Sequence, residues 1–150
     1  MKRILVLVMT FAMLHLSVNL LAQIRKIPAA VTDAFKSKYP QAQSVEFKDK
    51  LTFFQVDFQL DGAAHEARYS IKGEWELTEK EISESNLPAA VAEGFSKSKY
   101  TVDWEVSSVA WVQHKEGHVE YRILVRKSAV EKKYLYFNKE GKLLRDSITL

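Results

Sequence analysis

The sequence of 150 residues contains no cysteine, only three prolines and only five glycines. Without cysteine the chain forms no disulfide bond, so the stability of the fold has to come from its hydrophobic core. The missing cysteine also excludes attachment of a lipid through an N-terminal cysteine. No tract of glycine or proline interrupts the chain, so the polar segment 78–86 is predicted to be a rigid connection and not a flexible tether.

Motifs that carry catalytic chemistry are also missing. The sequence has no His-Glu-x-x-His zinc motif, no nucleophile elbow and no glycine-rich phosphate loop. The carboxylates Asp57, Glu74 and Glu76 could converge on one surface, but a glycosidase-like pair also needs a cleft. The sequence therefore predicts a protein that is not an enzyme and that uses no cofactor.

The excess of basic residues is small and depends on the N-terminal segment. The whole chain has 22 lysine and arginine residues against 19 aspartate and glutamate residues, a formal net charge of +3. Residues 1–22 contain Lys2 and Arg3 and no acidic residue, so the rest of the chain has 20 basic against 19 acidic residues, or +1. A balance this close to neutral predicts no nucleic-acid partner.

Residues 1–22 have the pattern of a secretory signal peptide. Lys2 and Arg3 precede an uncharged run over residues 4–14, and the segment ends in the small residue Ala22. We expect cleavage just before Gln23, a periplasmic or secreted location, and no stable membrane insertion of the cleaved protein.

An uncleaved membrane anchor is the competing interpretation of the same segment. Residues 4–22 are just long enough to span a bilayer. The polar residues His15, Ser17 and Asn19 weaken a spanning helix, which favours cleavage.

Two later segments share one sequence pattern. Residues 27–39 begin Ile-Pro-Ala-Ala-Val and contain Phe35, and residues 87–100 begin Leu-Pro-Ala-Ala-Val and contain Phe95. In each, a proline stands at the expected first helical position and apolar residues recur every three to four positions, which predicts an amphipathic helix. Phe35 and Phe95 are expected to be matched core residues.

Each predicted helix is followed by segments that alternate apolar and polar residues, which is typical of half-buried strands. The pattern is clearest over residues 53–60, 64–71, 118–126 and 132–137. The predicted fold class is α+β, with two tandem helix-plus-four-strand repeats forming one curved antiparallel sheet and both helices on one face. The repeats are assigned to residues 23–85 and 86–150 and are expected to join into one compact unit.

These features resemble the PepSY-like family. The likeness lies in the pattern Ile/Leu-Pro-x-x-Val-x-x-x-Phe followed by Tyr, the strand meander, the Lys/Glu-Gly turns and the sequence Trp75-Glu76-Leu77-Thr78-Glu79. That family is exported by Gram-negative bacteria and is similar in fold to beta-lactamase inhibitory protein. The resemblance implies an open concave sheet face, which grips a protein in the inhibitor, and no catalytic residues to carry over.

If the helices cover one face of the sheet, the alternate strand residues form an open face. Aromatic and arginine side chains among polar neighbours are typical of protein-binding surfaces, so we expect this face to bind an envelope or extracellular protein. A solvated face with cross-strand ion pairs is the alternative. The predicted binding residues are Phe53, Gln55, Asp57, Arg68, Glu74, Glu76, Arg122, Tyr134 and Tyr136.

The segment 114–118 offers a different function. His114 and His118 flank Gly117, which places them at the two ends of a hairpin turn where their imidazoles could meet. A stable zinc site requires three or four protein ligands, and no third histidine or cysteine lies nearby in sequence, so no metal site is predicted. Both histidines remain candidates for the alternative function, a small-ligand or metal-binding envelope protein.

Overall fold

The computed structural model describes residues 25–148 of the chain. The predicted signal segment 1–22 and the cleavage position at Gln23 lie outside the described residues. The two α-helices of the described part are α1 (Ala29–Lys38) and α2 (Ala89–Ser96). Its strands are β1 (Gln43–Asp49), β2 (Phe53–Leu60), β3 (Ala63–Ser70), β4 (Trp75–Ile82), β5 (Glu105–His114), β6 (Val119–Arg126), β7 (Lys132–Asn138) and β8 (Leu143–Ile148).

All eight strands form one antiparallel sheet in chain order, from β1 at one edge to β8 at the other. The two halves meet where β4 pairs with β5, from Leu77 opposite His114 to Ile82 opposite Val109. On β4, Thr78 contacts the end of α1 through Tyr39, while Ile82 packs on the core beneath α2. Residues 78 and 82 point to the same side of a strand, so both helices cover one face of the sheet and the predicted α+β fold is confirmed.

The predicted connection 78–86 is wrong over its first five residues. The strand β4 continues to Ile82, and residues 78–82 pair with β5. The positions that face the helices there are Thr78, Lys80 and Ile82, so only one of the three is apolar. A strand whose inner positions are polar gives no hydrophobic alternation, and this is why the sequence pattern missed it.

The helix α1 packs on the first half of the sheet. It begins directly after Pro28, whose carbonyl oxygen accepts hydrogen bonds from the amides of Val31 and Thr32. Pro28 therefore stands just before the helix and not at its first helical position, but it starts the helix as predicted. Val31 and Phe35 are buried against an apolar cluster formed by strands β2 and β3. The members of that cluster are Phe54, Val56, Phe58, Ala67 and Tyr69.

The hydrophobic core under α2 is built like the core under α1, with one difference in which aromatic residue is buried. Val91 of α2 is fully buried, as Val31 is in α1, but Phe95 is only partly buried. Tyr100, in a short 3₁₀ turn after α2, is 2% exposed and packs against Trp104. The expectation that Phe35 and Phe95 are matched is therefore wrong. The shorter α2 ends at Ser96, and the following turn places the Tyr100 ring in the core instead.

A glycine turn of the sheet supports the start of each helix. Gly73, between β3 and β4, and Gly141, between β7 and β8, have φ angles of +86° and +80°. A Cβ atom on Gly73 would lie 2.7 Å from the carbonyl carbon of Ala30, and one on Gly141 would overlap the carbonyl oxygen of Ala90. Only glycine allows each helix to lie this close to its turn. Among residues 25–148, neither helix combines the length and the hydrophobicity needed to cross a bilayer.

Candidate binding surface on the open sheet face

Strand register determines which residues share the open face, because directly paired residues point to the same side of a sheet. Gln55 lies opposite Arg68, and Arg122 lies between Ala110 and Tyr136. By this register, the structure places on the open face the predicted residues Phe53, Gln55, Asp57, Arg68, Arg122, Tyr134 and Tyr136. Glu76 has no direct strand partner and is placed there by its ion pair with Arg68.

Near the start of β4 the predicted alternation is wrong. Glu74 lies in the turn before the strand, where it is exposed and its carbonyl oxygen accepts a hydrogen bond from the amide of Ser70, a residue of the open face. The register then shifts: Tyr69 pairs with Trp75 and Arg68 with Leu77, which leaves Glu76 as the extra residue of a bulge. Leu77 consequently lies on the open face. A bulge shifts the alternation by one residue without any sequence signal of its own.

Three arginines of the open face each lie over an aromatic ring. The distances from guanidinium carbon to ring centre are 4.3 Å for Arg68 and Phe53, 4.8 Å for Arg122 and Tyr134, and 3.7 Å for Arg145 and Tyr136. The rings of Tyr134 and Tyr136 are 6.3 Å apart. Such stacked pairs restrict the side chains before any partner binds, which lowers the entropy lost on binding.

Each of these arginines also pairs with a carboxylate. Arg68 donates to Glu76 at 2.6 Å, a cross-strand ion pair of the kind expected for the alternative of a solvated face. Arg122 donates from both terminal nitrogens to the two oxygens of Glu79, at 2.7 Å for the first. Arg145 donates to both oxygens of Glu120, at 2.8 and 2.9 Å.

Four carboxylates stand in register across the strands β1 to β4. Glu46 lies opposite Asp57, Asp57 opposite Glu66, and Glu66 opposite Glu79. We call these four residues the acidic row. Like charges directly opposite each other destabilise a sheet, so the row is unfavourable unless cations neutralise it.

Within the acidic row, the two neighbours of Glu66 each pair with a cation. The Lys48 amine lies 2.6 Å from the Asp57 carboxylate, and Arg122 holds Glu79. Within residues 25–148, no side chain makes a hydrogen bond or an ion pair with the carboxylate of Glu66. Burial raises the pKa of Glu66, and the negative charges of Glu79 and Asp57 raise it further. The positive charges of Arg122 and Lys50 lower the pKa of Glu66 but do not reverse the shift. Glu66 is thus a half-buried carboxylate that has no ion pair among the described residues and whose charge is only partly offset.

The acidic row borders a depression of about 400 Å³ in the open face. Five carboxylates line it against one arginine, Arg122. The carboxylates are those of Glu46, Asp57, Glu66, Glu79 and Glu81. The depression is therefore strongly acidic, although the chain as a whole is slightly basic.

The hairpin between β5 and β6 brings the two candidate histidines together at another part of the open face. The imidazoles of His114 and His118 are stacked, with ring centres 4.3 Å apart and planes inclined by 11°. Nε2 of His114 lies 3.2 Å from a carboxylate oxygen of Glu120, and Nε2 of His118 lies 4.0 Å from the other. Three potential ligand atoms of these side chains lie within 4.8 Å of one another.

Several residues of this surface were missed by the sequence analysis. Glu79 was assigned to a connection, and Arg145 belongs to a final strand that was not divided into faces. Counting across the β7–β8 turn from the pair of Phe137 and Leu143 would have placed Leu144 opposite Tyr136. The register shifts by one residue there, so Arg145 lies opposite Tyr136 instead. The closeness of Glu120 to the two histidines was also missed. Residues 118 and 120 are two apart in the predicted strand and therefore point to the same face, so this spacing could have shown that Glu120 lies near His118.

The comparisons with known proteins agree with this architecture. The PepSY-like family model, whose description provisionally calls the family beta-lactamase-inhibitor-like, matches residues 19–62 and 52–145. No curated protein is significantly similar to the chain in sequence. The solved structure of a BLIP-like protein from Bacteroides fragilis is 28% identical, with a TM-score of 0.73, and the match covers 85% of this chain and 89% of that one.

Two further structures have the same fold. A protein from Bacteroides eggerthii, provisionally described as periplasmic, is 25% identical with a TM-score of 0.72, over 83% of this chain and 90% of that one. A protein from Bacteroides ovatus is 24% identical with a TM-score of 0.75, over 83% and 89% of the two chains, and shows likeness of fold alone. The family model covers most of the sequence, so the chain belongs to the PepSY-like family.

Proposed function

We propose that the protein is a non-enzymatic module of the periplasm or the secreted fraction that binds a protein partner on its open sheet face. The carboxylate of Glu66, which has no ion pair among the described residues, carries this proposal; it lies in an acidic depression on the same face as the arginine–aromatic pairs. The partner would present a lysine or arginine to the depression and apolar or planar groups to the aromatic rings.

Charge complementarity supports a basic contact on the partner. A cation entering the depression would neutralise Glu66 at a place where the protein's own cations already bind Asp57 and Glu79. Complementary charge on a partner raises the rate of association and suppresses the wrong partners. The arginine–aromatic pairs add planar, partly exposed groups of the kind that is enriched at interfaces.

Family membership supports a binding role and not catalysis. The family is described in terms of an inhibitor, and the name of the Bacteroides fragilis structure likens that protein to the same inhibitor. The predicted signal segment and the description of the Bacteroides eggerthii protein support an extracytoplasmic location.

The test is capture and binding by matched variants of the exported protein. Wild-type protein is used to isolate a partner from envelope extract, with a purified beta-lactamase as the first known enzyme tested directly. Binding of the purified partner is then measured with Glu66→Gln and with Tyr134→Ala. We expect Glu66→Gln to slow association and to reduce its dependence on salt, and Tyr134→Ala to speed dissociation.

The matched control is Glu93→Gln on the exposed side of α2, which also removes one carboxylate but on the helical face. It should bind the partner as the wild type does. Charge reversal at Arg122 is not a suitable probe, because it would leave the partly buried Glu79 without its cation and disturb folding. If both open-face variants fold normally and bind with unchanged rates, the open face is not the binding surface.

A further inference from the structure

We propose that His114, His118 and Glu120 form a binding site for a divalent transition-metal ion, Zn²⁺ first among them. The site lies at the β5–β6 hairpin, away from the residues that line the acidic depression. It is independent of the proposed protein partner, because its ligands are provided by this chain alone.

The donor set suits such an ion. Neutral imidazole nitrogens together with a carboxylate oxygen are common zinc ligands, and imidazole also binds Cu²⁺ and Ni²⁺. With metal–ligand distances of about 2.0–2.2 Å, tetrahedral ligands lie roughly 3.4 Å apart. The His114 nitrogen and the Glu120 oxygen are already 3.2 Å apart. His118 has to move by less than about 1 Å to reach the same spacing from Glu120, from which it is now 4.0 Å away.

The histidine rings are placed to make that adjustment. His118 is half exposed at the end of the turn, whereas the Glu120 side chain is 6% exposed and fixed. The in-plane lone pairs of two parallel rings cannot meet at one point, so binding must tilt the stacked imidazoles apart. The carboxylate of Glu116 lies 3.9 Å from Nδ1 of His118, on the ring nitrogen not directed at Glu120. A carboxylate at that nitrogen favours the tautomer whose Nε2 is free to bind metal.

The charge on the site is set by Glu120 and Arg145. The Glu120 carboxylate accepts hydrogen bonds from Arg145 and lies within hydrogen-bonding distance of Nε2 of His114. Arg145 donates to both carboxylate oxygens and therefore competes with a metal ion for them. Arg145 also rests on the Tyr136 ring at 3.7 Å, which gives its side chain a second contact when the carboxylate binds metal.

The experiment is a Zn²⁺ titration of the untagged protein by calorimetry, followed by a Co²⁺ titration read in the visible spectrum. We expect one ion per chain and Co²⁺ absorption bands of a nitrogen- and oxygen-ligated site. His114→Ala and His118→Ala should each weaken Zn²⁺ binding at least about tenfold. Arg145→Met should tighten it, because the variant keeps a side chain on Tyr136 but removes the competitor for Glu120.

The control is His65→Ala, which removes a histidine that instead stacks on Phe58 with ring centres 5.3 Å apart. It should leave Zn²⁺ affinity unchanged. Proton resonances of the His114 and His118 rings should both shift on binding while those of His65 stay in place. Equal Zn²⁺ affinity in the wild type and the two hairpin variants, or no Zn²⁺ binding by the folded wild type, would overturn the proposal. Either result leaves partner capture by the open face unaffected, so the two proposals fail separately.

Discussion

Glu66 carries a negative charge that the fold disfavours. Its folded-state pKa is raised above the ordinary value of 4.5, so the folded protein binds a proton there more tightly than the unfolded chain does. The resulting stabilisation is fully present below about pH 4.5 and is lost as the pH rises through the folded pKa. At neutral pH the ionised Glu66 therefore opposes folding.

The substitution Glu66→Gln should consequently raise the free energy of unfolding at pH 7, by about 0.5–1 kcal/mol, the size of a cross-strand like-charge pair. At about pH 3, where the carboxyl is protonated, the gain should vanish. Urea melts at both pH values measure it. The matched variant is Glu79→Gln, which removes a carboxylate held by Arg122 and should lower stability at neutral pH. A loss of stability in Glu66→Gln at neutral pH would contradict this account of the row.

Because Phe95 is less buried than Phe35, truncating the two phenylalanines to alanine should destabilise the protein by different amounts. Phe35→Ala removes a side chain that is 2% exposed and should cost about 3–5 kcal/mol. Phe95→Ala removes a partly buried ring at the edge of the second core and should cost about 1–2 kcal/mol. Denaturant melts of the two variants decide the matter. Equal losses at both positions would show that the two helices bury their phenylalanines alike.

Residue faces were largely predictable because alternation in a strand follows from backbone geometry. The residues Phe53 to Leu60 alternate cleanly, and the structure follows them position by position. That Glu66 lacks an ion pair was not predictable, since it depends on which cations pair with its neighbours. Lys48 and Arg122 come from strands β1 and β6, and only the register of the six strands from β1 to β6 shows that they pair with Asp57 and Glu79 and not with Glu66.

At the scale of the elements, the contact between a helix and a turn predicts that substitution of Gly141 destabilises the protein more than substitution of Gly62. Gly141→Ala adds both a strained positive φ and an overlap with the Ala90 carbonyl, and should cost at least about 2 kcal/mol. Gly62→Ala has a similar φ of +74° but open space around the new Cβ, so only the backbone strain of about 1–2 kcal/mol applies. Thermal melts compare the two. If Gly62→Ala is as destabilising as Gly141→Ala, the close approach of α2 to the β7–β8 turn is not structurally important.

Of all the elements, β4 had the end that was hardest to predict from the sequence. Its last residues, 78–82, carry three charged side chains among five positions and give no apolar period. They are strand because β5 offers a partner on one side and β3 on the other. Helix starts were easier to predict, since Pro28 and Pro88 immediately precede α1 and α2.

For the whole molecule, buried tyrosines predict how stability responds to alkali. Burial first, and then the hydrogen bond and negative charge of Asp146, raise the pKa of Tyr100 to about 12. Burial also raises the pKa of Tyr39 and Tyr69. A raised folded pKa means that the stabilising contribution is complete below about pH 10 and is lost as the pH approaches about 12.

The free energy of unfolding should therefore fall steeply between about pH 10 and about pH 12. Tyr100→Phe should be less stable at neutral pH by about 1 kcal/mol, because it loses the bond to Asp146, but its decline in alkali should be shallower. Denaturant melts across this range, with tyrosinate absorbance recorded in parallel, measure both effects. An equally steep decline in Tyr100→Phe would mean that this tyrosine does not govern the alkaline transition.

The chain order of the sheet has a consequence for how fast the protein folds. Six of the seven strand pairs join strands linked by short turns, such as residues 61–62 and 115–118, and close with little loss of chain entropy. The exception is the β4–β5 pair, whose strands are separated by residues 83–104 and the whole of α2. Strands β1 to β4 and strands β5 to β8 can thus each form their hairpins and pack against their own helix first. The two halves of the sheet then join when β4 pairs with β5. Substitutions that weaken only this central pair should accelerate unfolding while leaving the refolding rate of the hairpins nearly unchanged.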